Sequence, residues 1–304
     1  GYNTQGEDSI AIGQRSARDL QGDKCVAIGT YSGQSSQLDN SIAIGFEAGQ
    51  INQNTESVAI GYQSGEISQN LQCISIGYQS GQFYQDIESV AIGYQSGQRN
   101  QGSTSLSIGY QAGQSNQNTN SISIGLQAGQ ISQNTNSLSI GNQAGQSYQS
   151  SNAYAIGTFA GQISQNTQCT AIGFRAGQSY QDIGSTAIGD RAGTFNQGSQ
   201  SIAIGQLAGN NSQSLNASAI GSSAGRFGQG AEATAIGFES GLTSQSLGAT
   251  AIGTKAGNTS QGSYAVAIGH QAAYSLQGTQ SVAVGHDSGK TSQGINAVAI
   301  GFRA

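Results

Sequence analysis

His270 and His286 stand sixteen residues apart, and Asp287 directly follows the second. Imidazole and carboxylate are zinc-binding groups, but a structural site takes about four such ligands. Two histidines and one carboxylate make a weak site, so these residues are read as variable surface and no metal is expected. Serine is abundant, yet no His–Asp pairing recurs beside it to activate a nucleophile. The glycines form no phosphate loop, since no lysine follows them in G-x-x-x-x-G-K-[ST] form. No catalytic or cofactor-binding residue is assigned, and the chain is not read as an enzyme.

Cys25, Cys73 and Cys169 all fall four residues before a recurring glycine, where other copies carry Ser or Ala. At about 4.8 Å per stacked strand, even the nearer pair would lie about 14 Å apart, beyond the reach of a disulfide. They read as small residues in a small-residue slot. One column has more to offer. Tyr62, Tyr78, Tyr94 and Tyr110 follow that glycine in four consecutive repeats, with Gln63, Gln79, Gln95 and Gln111 beside them. Such a ladder is a candidate surface for a glycan or a neighbouring filament; cross-coil stacking that merely stabilises the edge is the plainer reading.

The elements that position these residues follow from one strict register. The glycine closing each AIG-like triplet falls at 13, 29, 45 and every sixteen residues thereafter to 301. Ile precedes it in every copy except Val284, and Ala or Ser precedes the Ile. A second glycine stands four residues on, replaced only by Ala17 and Ala273, and a Gln eight residues on, from Gln5 to Gln293. A fixed period is the signature of a repeat architecture. There is also a superperiod of 96 residues, relating QFYQDIES to QSYQDIGS and Cys73 to Cys169.

Composition narrows the class. Of 304 residues, 47 are Gly, none is Pro, Met or Trp, and the net charge is −5. An acidic chain argues against nucleic acid, which calls for a basic stripe. No run approaches the roughly twenty apolar residues of a membrane span, so no membrane insertion is expected. The chain begins and ends inside the repeat, the pattern of an excerpt from a longer array whose caps lie elsewhere; residues 1–304 are read as one continuous repeat domain.

A sixteen-residue unit is too short for a helical hairpin, and its glycines would cost a helix about 1 kcal/mol each. It suits an all-β parallel β-solenoid of about 19 coils, with two short strands and two tight turns per coil. In the coil SIAIGFEAGQINQ (41–53), alternation sends Ile42 and Ile44 to one face and Ser41, Ala43 and Gly45 to the other. The expected core ladder is Ile12, Ile28, Ile44, Ile60, Ile76, Ile92, Ile108 and Ile124. The opposite, small-residue face is expected to pack against another chain. Gly45, Gly49, Gly61, Gly65, Gly77 and Gly81 are expected at turns, and Gln37, Gln53, Gln69, Gln85, Gln101 and Gln117 in a stacked amide ladder.

The motif S-[IV]-A-I-G-x-x-[AS], as in SIAIGFEA (41–48) and SVAIGYQS (57–64), resembles the head repeats of trimeric autotransporter adhesins, and related AIGYQAG-type repeats of phage and large-virus fibre proteins. The resemblance runs over the whole chain. It implies a left-handed parallel β-roll, commonly a trimer of chains packed side by side, in which Ile44, Gly45 and Ala48 match the strand and turn of the motif. The expected function is a structural fibre or filament: a rigid rod at a cell or virion surface, or otherwise extracellular, built by self-association as a trimer or helical filament. The alternative is an adhesin head whose lateral faces bind a host glycan or protein. The monotony of residues 49–178 favours the first.

Overall fold

The computed structural model describes residues 5–304. Two compact units divide the chain, one ending at Asn152 and the other beginning at Ala153. Both are built the same way, and together they hold about 18–19 coils of about 16 residues, with two strands per coil and no helix. The first strand of each coil is the triplet before the AIG glycine, from Ile10–Ile12 to Leu138–Ile140 in the first unit and from Tyr154–Ile156 to Val298–Ile300 in the second. The second strand ends on the fixed Gln, from Ser35–Gln37 to Ser147–Gln149 and from Ile163–Gln165 to Thr291–Gln293. Pairing within each unit is parallel and in register from coil to coil, with Ile42 on Val58, Ala43 on Ala59 and Ile44 on Ile60. That is why no residue can be inserted: a slip of one would turn every side chain to the other face.

The two strands differ in kind. In the second strand only the outer residues pair, Ile51 with Ile67 and Gln53 with Gln69. The residue between them is left-handed, Asn52 at φ 56° and Ser68 at φ 59°. Left-handed residues also stand two and eleven positions after the AIG glycine, as at Glu47 and Glu56. Each such residue costs about 1–2 kcal/mol unless it is Gly or Asn, so the corners are held by the ladders and not by local preference.

The interior is the reverse of the one expected. Ala43, Ala48, Ser41 and Gln53 are fully buried, whereas Ile76, Ile140 and Ile236 are each 37% exposed. Ile12 and Ile300, at the two ends of the column, are 59% and 67% exposed, and Ile28, Ile44, Ile60, Ile92, Ile108 and Ile124 are partly exposed. The isoleucine ladder is therefore an outer face, and the small residues line the coil instead of another chain. The reason is width. A β-carbon added to Gly49 would lie 3.2 Å from the Ala43 β-carbon and 2.6 Å from the Gln53 side-chain oxygen. With the walls already that close, alanine fits between them and isoleucine does not.

The fixed Gln fills what space remains. Gln101 donates from Nε2 to the Val90 carbonyl at 2.8 Å and the Ser105 carbonyl at 3.3 Å, and its Oε1 accepts from Gln85 at 2.8 Å. The same side-chain bond joins Gln69 to Gln85 and Gln117 to Gln133. A buried amide costs about 1–3 kcal/mol when unsatisfied, so the column is tolerable only as a bonded series. Oε1 of Gln21, of Gln53 and of Gln69 lacks a partner, the local weak points of the series. Where Ala gives way to Ser in the first strand, the hydroxyl takes part: Ser139 donates to Gln149 at 2.7 Å, and Ser75, Ser107 and Ser123 make the equivalent bond.

The first glycine column answers to sterics. At φ 135°, Gly45 would place a β-carbon 2.2 Å from the Gly61 carbonyl oxygen, and Gly61 and Gly77 repeat this against the next coil. Gly49, Gly65 and Gly81 are left-handed at φ 51–53°. Ala17 and Ala273 hold the same conformation at φ 45° and 46°.

Candidate functional site

The register that builds the core also builds columns on the surface. Phe46, Tyr62, Tyr78, Tyr94 and Tyr110 stack with ring centroids 5.2, 5.1, 5.0 and 4.9 Å apart and planes within 11° of parallel. Tyr62 is 43% exposed. Because each inner ring has a neighbour on both faces, the column offers solvent its edges and hydroxyls. Beside it runs an outer amide ladder, Gln79 donating to Gln63, Gln95 to Gln79 and Gln111 to Gln95 at 2.9–3.0 Å. A further column bonds likewise, Gln98 to Gln82 and Gln114 to Gln98. Residues 100–174 carry no charged side chain, and this surface is made of amides already bonded to one another.

The isoleucine face is an apolar, partly exposed feature. In the first unit it is two columns wide, Ile42 beside Ile44, Val58 beside Ile60, Leu106 beside Ile108. In the second unit one column turns polar at Thr170, Thr186, Ser218, Thr234 and Thr250, and the stripe narrows.

His270 and His286 stack at 4.7 Å, and with Asp287 their ligand atoms lie within 4.8 Å of one another. The carboxylate is already engaged: Lys290 approaches at 3.1 Å, His286 at 3.4 Å and Arg303 at 3.7 Å. Burial alone would raise the Asp287 pKa, but the Lys290 hydrogen bond and the three nearby cationic groups hold it below the ordinary value. The cluster therefore reads as an ion-pair knot.

Cys25, Cys73 and Cys169 are free and buried. Cys73 donates from Sγ to the Asp86 carbonyl and Cys169 to the Asp182 carbonyl, each at 2.9 Å. Ser57 makes the same bond to Asn70 at 2.7 Å, so cysteine does a serine's work there. Burial pushes both the Cys73 and Cys169 thiols up.

With this geometry established, two stretches, 183–208 and 277–304, match the family model described as the YadA head domain repeat. Over those stretches the coils fit the head-type repeats of the trimeric autotransporter adhesins. A comparison with curated proteins gives no match. Repeats of this type indicate an adhesin-type head module, a surface-exposed and structural class. No helix among the described residues is long and apolar enough to cross a membrane.

One feature escaped sequence reasoning: a groove beside the second strand, opening at the same place in the coil at three points along the chain. Its signal was the 96-residue superperiod.

Proposed function

We propose that this chain is the body of a surface adhesin head, a solenoid that self-associates through its isoleucine columns and offers its other faces to a host glycan or protein. The outward isoleucine face carries this reading. A contiguous apolar stripe of this kind marks an interaction site, and identical copies with the same coil pitch match such a stripe column to column. The head family forms trimers, which supports three copies as the assembly.

A single-cysteine experiment tests it. Ile108→Cys places a thiol on the outward column while the native cysteines stay buried; mild oxidation is expected to give covalently linked chains. Asn116→Cys, on an exposed left-handed position of the second strand, is expected to stay unlinked. Linking at 116 and not at 108 would overturn the proposed interface. A second reading, a fibre shaft with no ligand, is favoured by the monotony of the Gln and Tyr columns in the first unit. Binding of the intact chain to immobilised host-surface glycans or matrix proteins separates the two.

A further inference from the structure

Three grooves lie between the column of left-handed residues in the second strand and the column two residues further on. The first, of about 640 Å³, is lined by Ser68, Asn70, Tyr84 and Asp86 among others. The second, of about 440 Å³, is lined by Ser164, Asn166, Tyr180 and Asp182. The third, of about 300 Å³, has Ser260, Leu276, Gly278 and Ser292. Each stands 96 residues from the last.

We propose that the first two grooves are equivalent subsites, each taking one neutral hexopyranose residue of a glycan. Its apolar C–H face lies on Tyr84 or Tyr180, and its hydroxyls meet Asp86 and Asn70, or Asp182 and Asn166. This rests on the adhesin reading above and names its ligand class.

Four observations support the assignment. First, the lining that the two grooves share recurs at 96 residues, Ser68, Asn70, Tyr84 and Asp86 as Ser164, Asn166, Tyr180 and Asp182, whereas the first groove runs on towards Ser36 and Leu38 and the second towards Asn196 and Gly198. Elsewhere on the same coils Tyr94 is answered by Asp190, Phe83 by Ser179 and Arg99 by Phe195, while Ile67 and Ile87 are matched by Ile163 and Ile183.

Second, the rings are open. Tyr84 and Tyr180 are 59% and 61% exposed, and their column neighbours are Ser68 and Asn100, or Ser164 and Asn196. Unlike the stacked Tyr62–Tyr110 rings, each therefore has a free face, the platform that a sugar's C–H surface needs.

Third, the carboxylates are held in place identically. Asp86 accepts from Asn70 at 3.2 Å, the Ile87 amide at 2.9 Å and Ser103 at 2.6 Å. Asp182 accepts from Asn166 at 3.1 Å, the Ile183 amide at 2.8 Å and Ser199 at 2.6 Å. A carboxylate has about four acceptor sites, so room remains for a ligand hydroxyl. Fourth, the chain's net charge of −5 and the carboxylate in the groove disfavour acidic sugars. With its charge shared among three donors and one ring face beside it, the groove suits a neutral hydroxyl rim better than a cation. The third groove, with Leu276 for Tyr and Gly278 for Asp, serves as an internal control.

Saturation-transfer NMR on the intact chain tests the proposal, with the methyl glycosides of glucose, galactose and mannose as probes and trimethyl-lysine as the cationic competitor. At least one hexoside is expected to bind. Tyr84→Ser should remove about half the signal, and Tyr84→Ser with Tyr180→Ser should lower it about tenfold, as expected when the aromatic contact is lost. Ser68 already holds this left-handed conformation at φ 59°, so the variant keeps the fold, which circular dichroism verifies. Tyr84→Phe and Tyr110→Ser should bind like the parent. A double variant that binds hexosides unchanged overturns the site. Binding of trimethyl-lysine in preference to hexosides, abolished by Asp86→Asn with Asp182→Asn, overturns the ligand class. Silence towards all hexosides while the chain still attaches to host cells overturns the glycan subsite and leaves the adhesin reading intact; loss of both overturns both.

Discussion

At Gly109 a β-carbon would lie 2.5 Å from the Gly125 carbonyl oxygen, and φ is 132°. At Gly228 it would meet nothing within 4 Å, and φ is 68°. Gly109→Ala should therefore lower the unfolding free energy by more than about 3 kcal/mol, because backbone must move, and Gly228→Ala by about 1 kcal/mol, the ordinary left-handed penalty. Urea midpoints compare them, and equal losses would refute the steric argument. The buried Gln makes a second prediction. Gln101→Leu keeps the volume but removes the bonds to Val90, Ser105 and Gln85, and should cost about 2–4 kcal/mol. The invariance of Gln and Gly was plain in the sequence. What they do was less so: the period places glycines at corners, but only the coil-to-coil geometry shows that the first glycine answers to the backbone of the next coil.

Alternation along Ser41-Ile42-Ala43-Ile44 identified a strand and which residues share a face, but the face expected to form the core, that of Ile42 and Ile44, is the outer one. Hydrophobicity favours isoleucine inside; the narrow coil decides for alanine, since a β-carbon added at Gly49 would already lie 3.2 Å from that of Ala43. An outer isoleucine can be changed without touching the core. Ile92→Asp with Ile108→Asp should keep the β-sheet circular dichroism of the parent yet weaken self-association on the order of a hundredfold, since a carboxylate would be buried at the interface. Thr186→Asp, where the stripe has already narrowed, should have a smaller effect. Loss of the fold in the double variant would place isoleucine back in the core.

For the whole molecule the scarcity of charge sets the response to pH. Ser103 and the Ile87 amide hold Asp86 below the usual carboxylate range, Ser199 and the Ile183 amide do the same for Asp182, and Arg18 brings Asp19 to about 2. A depressed folded pKa contributes stability above the unfolded value of about 3.9 and loses it as pH falls through the folded value. Thermal stability should thus be nearly flat from about pH 5 to 8 and decline below about pH 4; a decline that begins near pH 6 would contradict this. The repeat and the strand pairs were legible in the sequence, because period and residue type determine them. The free faces of Tyr84 and Tyr180 were not, because exposure depends on what the neighbouring coils place beside them. The central claim is that the chain turns its isoleucines outward to meet copies of itself. Sedimentation equilibrium tests it most directly: a mass that is a multiple of the 30.8 kDa chain, falling towards one chain in the Ile92→Asp/Ile108→Asp variant, is the result expected. A parent chain that stays at 30.8 kDa at every concentration, with those isoleucines open to solvent, would contradict it.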